Sequence, residues 1–128
     1  MKGEVSIYQG DNLVLQKANT IYPIAKFYIA SSMGFFPDAN YLLNELIITY
    51  NNGGEDLLYN LPIGLYGNNG GSAVAFKSTL EINSFNGTIT KLQIHNSNLQ
   101  QDFASLIIPD IVKEPNQSYL LTWQFTFS

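Results

Sequence analysis

The only histidine of the chain, His95, is the first residue to consider for chemistry, because any general-base or metal-binding imidazole must be this one. Ser97 and Asp102 lie close to it in the sequence. No nucleophile-elbow motif surrounds the serine, and a lone histidine at the end of a predicted strand is more often structural than catalytic. The sequence therefore predicts no catalytic residue.

The carboxylates form no pattern that is typical of catalysis or metal binding. Glu55 and Asp56 are the only adjacent pair, and the other aspartates stand singly in predicted turns, where Asp commonly accepts hydrogen bonds from its own backbone. Glycosidase chemistry needs two carboxyl groups that face each other across a cleft. The EF-hand spacing is absent, and a chain without cysteine has no thiolate to bind zinc. We expect no enzymatic activity, no cofactor and no metal.

Tyrosine is the residue type that most favours a binding role. Three tyrosines and Trp123 could form a platform on which a sugar ring stacks, with neighbouring amide side chains supplying hydrogen bonds. In the alternative interpretation, which the sequence favours, Trp123 belongs to the core and exposed tyrosines line a protein interface, where charge is depleted. The candidate contact residues are the same in both cases: Tyr50, Tyr59, Tyr66, Asn68 and Asn69.

Charge is scarce in this chain. Only 12% of the 128 residues are charged, the net charge is −4, and all six basic residues are lysine. Nucleic-acid and phosphate sites use basic patches and arginine forks, so the composition disfavours those partners. Polar residues interrupt every apolar run well short of the roughly 18 residues of a membrane helix, and no apolar signal segment is visible. We expect a soluble protein with no nucleic-acid or membrane partner.

The elements that must position these residues are mostly short strands. Residues 5–8 and 13–15 predict a β-hairpin around Gly10-Asp11-Asn12, and residues 46–50 predict a strand that ends in a glycine-rich turn. Residues 23–33 predict a short helix, because proline suits its first turn and a glycine follows its end; a strand is the alternative there.

The second half of the chain alternates more regularly. Residues 73–82 and 88–95 predict a hairpin that turns at Asn86-Gly87. The C-terminal strand is predicted to lie centrally in the core, because alternate residues on one of its faces are large and apolar: Leu121, Trp123, Phe125 and Phe127. Together these elements predict one domain, residues 1–128, with an all-β fold. We expect an antiparallel β-sandwich, jelly-roll or immunoglobulin-like, with one short helix near residues 23–33.

Several segments resemble small structural proteins of tailed bacteriophages. Such proteins often open like Gly3-Glu4-Val5-x-Ile7-Tyr8-x-Gly10-Asp11-x-Leu13-Val14 and continue through a segment like Asn19-Thr20-Ile21. They carry a hairpin similar to Phe85-Asn86-Gly87-Thr88-Ile89-Thr90-Lys91-Leu92 and close with a strand like Leu121-Thr122-Trp123-Gln124-Phe125-Thr126-Phe127. The resemblance covers most of the chain through short motifs.

The resemblance implies a virion component that is assembled in the cytoplasm of a host bacterium, such as a head decoration protein or a fibre or tail accessory subunit. Its partners would be copies of itself and other capsid, fibre or tail proteins. A subunit of this kind acts through complementary surfaces and needs no catalytic group. The alternative function is a glycan-binding module, or the receptor-binding tip of a fibre, that recognises host surface polysaccharide.

Overall fold

The structure, a computed structural model, describes residues 2–20, 44–68, 73–98 and 100–126. Their regular structure consists of strands, and every strand pairing is antiparallel. The strands are β1 (Lys2–Gln9), β2 (Asn12–Thr20), β3 (Glu45–Asn52), β4 (Glu55–Pro62), β5 (Gly64–Asn68), β6 (Ala73–Leu80), β7 (Gly87–Asn96), β8 (Gln101–Lys113) and β9 (Tyr119–Thr126).

The strands form two sheets that share one hydrophobic core. The five-stranded sheet A has the order β2-β1-β9-β6-β5, and the four-stranded sheet B has the order β4-β3-β7-β8. Buried side chains of both sheets, such as Ile7 and Phe125 in sheet A and Ile48 in sheet B, belong to a single cluster. The predicted all-β antiparallel sandwich is therefore confirmed. The predicted helix over residues 23–33 is not confirmed: it lies outside the described residues, which form no helix.

The C-terminal strand β9 occupies the middle of sheet A, as the sequence predicts. Leu121, Trp123 and Phe125 are buried, whereas the alternate residues are more exposed. The Phe125 ring makes edge contacts with Phe76 and Phe103, at centroid distances of 5.8 Å and 5.3 Å. Because Phe103 belongs to β8, this contact joins the two sheets through their aromatic core.

Two tight turns agree with the sequence prediction. Strands β1 and β2 form a hairpin in which Gly10 has a φ of +60° at the first turn position, which a glycine adopts without steric cost. Strands β3 and β4 are joined by Gly53 and Gly54, with φ of +66° and +86°. The glycine pair at 53–54 therefore forms the turn that the sequence predicts after residues 46–50.

The predicted hairpin of residues 73–82 with 88–95 is wrong. Strand β6 pairs with β5 and β9 in sheet A, whereas β7 pairs with β3 and β8 in sheet B. The chain crosses between the sheets, and on the way Phe85 enters the core and stacks on Tyr50 at 3.9 Å. A Cβ at Gly87 would lie 2.5 Å from the backbone oxygen of Asn51, so this glycine permits close approach to β3.

The sheets are also linked along both sides. The chain passes directly from edge strand β4 to edge strand β5, and the Ser78 hydroxyl of β6 donates to the Pro62 carbonyl at 2.9 Å. Pro62 thus ends an edge strand, where its missing N–H costs nothing. On the other side, Lys17 of β2 donates from Nζ to the Ile107 carbonyl of β8 at 2.6 Å.

Candidate functional site

His95 and Asp102 form the polar pair that lies nearest to catalytic chemistry. Buried His95, near the end of β7, has its Nδ1 2.9 Å from Oδ1 of Asp102 on β8. Gln93 donates to the other carboxylate oxygen at 2.7 Å. The pairing of β7 with β8 places His95 opposite Asp102, so the sheet register creates this contact.

Ser97 does not join this pair. Its hydroxyl accepts a hydrogen bond from the Asn44 amide at 2.8 Å, and its backbone N–H donates to the Asn44 side-chain oxygen at 3.1 Å. A nucleophilic serine needs its hydroxyl within hydrogen-bond reach of the base. The contact with Asn44 instead fixes the β7–β8 turn against the start of β3. The expectation that these residues are not catalytic stays a prediction.

The adjacent carboxylates Glu55 and Asp56 begin β4 beside the β3–β4 turn. The Asn51 amide donates to Asp56 at 3.0 Å, and its side-chain oxygen accepts from the Gly54 N–H at 3.1 Å. Asp56 and Asn51 therefore support the turn between their strands. No group of three or more metal-binding side chains occurs in the described part of the chain.

Tyr50 and Tyr59 lie on the face of sheet B that packs against the hydrophobic core. Tyr50 stacks on Phe85, and Tyr59 contacts the same ring at a centroid distance of 5.2 Å and an angle of 55°. Both tyrosines are partly buried against the core, and Trp123 is buried within it. These three aromatic side chains therefore do not form an exposed stacking platform.

The other candidate contact residues lie elsewhere. Tyr66 lies within β5 and Asn68 at its end, so both belong to sheet A, and Asn69 lies outside the described residues. The structure thus brings Tyr50 and Tyr59 together at Phe85 but places Tyr66 in the other sheet.

Lys113 is a buried residue that the sequence analysis missed. Its Nζ donates to the carbonyls of Ile82, Glu114 and Gln117 at 3.1, 3.1 and 3.4 Å. Burial lowers the pKa of its ammonium group below the ordinary 10.5. The side chain ties the crossing between β6 and β7 to the turn before β9. Nothing in the local sequence signals this role, because lysine is normally exposed.

The outer face of sheet B carries the most exposed apolar side chains of the described residues. Leu58 on β4 is 66% exposed, and Ile107 and Val112 on β8 are 72% and 61% exposed. The register places Leu58, Thr49, Lys91 and Ile107 in one row across the four strands. Val112 lies on the same face, in a parallel row with Thr88. Recognising this face requires the register, since Leu58 is far from Ile107 and Val112 in the sequence.

The outer face of sheet A is polar and grooved. A groove of about 550 Å³ runs over β2, β1, β9 and β6 and is lined by both polar and apolar side chains. Its lining residues are Glu4, Ser6, Tyr8, Gly10, Asp11, Gln16, Ala75, Leu120, Thr122 and Gln124. None of these residues was a candidate from the sequence, although the alternation of β1 and β9 predicts that their polar side chains share one face.

Comparisons with known proteins add no relative: no protein-family model, no curated protein and no solved structure matches the chain. Within the residues that the structure describes, no helix has the length and apolar character required to span a membrane.

Proposed function

We propose that this protein is a non-enzymatic structural subunit of a bacteriophage virion, such as a head decoration protein or a fibre or tail accessory subunit. It acts by assembling with copies of itself and with neighbouring virion proteins. The observation that carries assembly is the outer face of sheet B with exposed Leu58, Ile107 and Val112. The phage context rests on the resemblance of the N-terminal, central and C-terminal segments.

The composition of this face suits a protein contact. Three large apolar side chains are 61% to 72% exposed. Between Leu58 and Ile107 the same row contains Thr49 and a single charged residue, Lys91. Burial of exposed apolar area drives association, and interface centres are poor in charge, because a charged group loses its hydration there.

The β8 edge of sheet B is poorly suited to the addition of a further strand, which favours contact through the face. Strand β8 is an edge strand of 13 residues, and its register shifts opposite Ile89 and Lys91, where Pro109 lies. Proline cannot donate a ladder hydrogen bond, and a bulge bends the strand. The carbonyl of Ile107 already accepts a bond from Lys17. These features oppose regular pairing with another edge.

Two further expectations from the sequence concern the type of sandwich and glycan binding, and the proposal requires neither of them. The jelly-roll or immunoglobulin-like arrangement of the sandwich stays a prediction, and assembly does not depend on it. The glycan-binding module that the sequence analysis built on Tyr50, Tyr59 and Tyr66 gains no support from the tyrosines, because Tyr50 and Tyr59 contact Phe85.

The test is the mass of the purified chain in solution, alone and mixed with a major capsid or fibre protein from the same source. We expect a complex, and a double variant Leu58→Lys with Ile107→Lys should weaken it about 100-fold or more, because two apolar side chains lose their burial. Leu13→Lys is the matched control, since Leu13 is 48% exposed but lies on sheet A. A parent chain that stays monomeric and binds neither protein would contradict the proposal.

A further inference from the structure

Beyond assembly, we propose that the groove on the outer face of sheet A binds a neutral oligosaccharide. The proposal does not rest on the virion context, since a structural subunit and a free binding module can both carry such a site. The volume of the groove, about 550 Å³, falls within the range of roughly 300–1,000 Å³ that is typical of small-ligand sites.

The register gives the groove two unlike walls. Tyr8 lies opposite Leu120 of β9 on one side and Leu13 of β2 on the other, which makes one row apolar and partly aromatic. The row of Glu4 and Gln124 forms the polar wall. Ser6 and Thr122 lie in the row between them and form the floor. A pyranose ring has the same division, because its C–H face is apolar and its edges carry hydroxyls.

The polar groups suit hydroxyls, which both donate and accept hydrogen bonds. Gln16 donates from Nε2 to Glu4 Oε1 at 3.0 Å, so the amide and the carboxylate hold each other in place across β2 and β1. Gln16 keeps its side-chain oxygen as an acceptor, and Glu4 keeps its second carboxylate oxygen. Side chains that are ordered before binding lose less entropy when the ligand arrives.

The charges around the groove favour a neutral ligand over a polyanion or a polycation. Glu4 and Asp11 are the two charged residues of the lining. Two lysines lie beside it on the same face: Lys2 is two residues before Glu4 on β1, and Lys77 is paired with Thr122. Because the two signs alternate within a few residues, their fields largely cancel, and neutral hydrogen bonding decides affinity.

The groove is long enough for more than one sugar ring. It extends from Gln16 on β2 to Ala75 on β6, which spans three strand spacings or about 14 Å. A single pyranose ring is only about 5 Å across, so one ring cannot contact all four strands at once. We therefore expect trisaccharides to bind more tightly than the corresponding monosaccharides.

The test is NMR titration of the isotopically labelled full chain with cellotriose, maltotriose, chitotriose and lactose, with spermidine and a heparin pentasaccharide as charged probes. We expect at least one neutral sugar to give saturable shifts at the amides of Tyr8, Gln16 and Gln124. Tyr8→Ala and Gln124→Ala should each weaken that binding about tenfold or more. Asn60→Ala, which truncates an exposed amide on β4 of sheet B, is the matched control for Gln124→Ala and should bind like the parent.

Three results would overturn the proposal. These are saturation by spermidine or the heparin pentasaccharide alone, no saturable shift with any of the four sugars, and sugar binding that Tyr8→Ala and Gln124→Ala leave unchanged. Thermal unfolding of each variant checks that it is folded. The Leu58→Lys and Ile107→Lys double variant should bind sugar like the parent, which separates this site from the assembly face.

Discussion

The two outer faces of the sandwich differ, although alternating antiparallel strands build both of them. On sheet A the apolar residues Leu13, Tyr8 and Leu120 are confined to one row, and polar rows follow it. On sheet B exposed Leu58 and Ile107 lie on opposite edge strands with Thr49 and Lys91 between them. The chemical character of a sheet face therefore depends on the rows that the register assembles, and not on the composition of any one strand.

The largest expected effect comes from the core that supports both faces. Phe125 is fully buried and contacts Phe76, Phe103 and Trp123. Phe125→Ala should lower the free energy of unfolding by about 3–5 kcal/mol, because it removes a large ring and leaves a cavity. Denaturant unfolding measures this loss, and the comparison predicts that assembly and sugar binding weaken together. Selective loss of one of them would mean that the faces do not depend equally on this core.

The next prediction compares two glycines, one in each sheet. At Gly87, where β7 of sheet B begins, φ is +149° and a Cβ would lie 2.5 Å from the Asn51 oxygen. Gly87→Ala should therefore cost about 2–3 kcal/mol in unfolding free energy. Gly64→Ala, at the start of β5 of sheet A, has nothing within 4 Å of the new Cβ. It is the control and should change stability by less than about 0.5 kcal/mol. Equal losses would show that the close contact at Asn51 is not what requires glycine.

The smallest effect concerns Lys113, which joins the crossing between the sheets to the turn before β9. Lys113→Met should cost about 1–3 kcal/mol at pH 7, because the carbonyls of Ile82, Glu114 and Gln117 lose their donor. The pKa of Lys113 is lowered in the folded state, so between that lowered value and 10.5 the unfolded chain binds more protons. The parent should therefore gain stability as pH rises through this window.

The measurement for Lys113 is denaturant unfolding of parent and variant at a series of pH values. The difference in unfolding free energy between parent and variant isolates the contribution of Lys113, because the other groups that titrate at high pH are present in both. A constant difference across the window would contradict the lowered pKa. A variant as stable as the parent at pH 7 would show that the three carbonyls bond equally well to other donors.

Local sequence patterns predict the strands, but they do not predict which strands pair when the partners are far apart in the sequence. The alternation of Leu121, Trp123 and Phe125 was enough to place β9 in the core, and Gly10 was enough to place a turn. The predicted hairpin at Asn86-Gly87 is wrong, because an alternating pattern shows that a segment is a strand but not which sheet the strand joins. There the chain crosses to sheet B instead, and Phe85 stacks on Tyr50 along the way.

The candidate binding residues were harder to predict for the same reason. Exposure of a tyrosine depends on what fills the space above it, and Phe85 fills that space for Tyr50 and Tyr59. The groove residues Glu4, Gln16 and Gln124 come together only after three strands pair in register. Each of them is ordinary in its local sequence, so local sequence could not identify them.

The irregular edge of β8 also bears on whether copies of this chain can add to one another as cross-β strands. A flat edge that displays residues such as Ile107 and Val112 is a template for cross-β growth, in which each added chain offers the same edge to the next. Pro109, the shifted register and the lysine bond to the Ile107 carbonyl interrupt that template. Each of these features makes regular addition of a further strand to the β8 edge less favourable, so we expect this edge to resist cross-β growth.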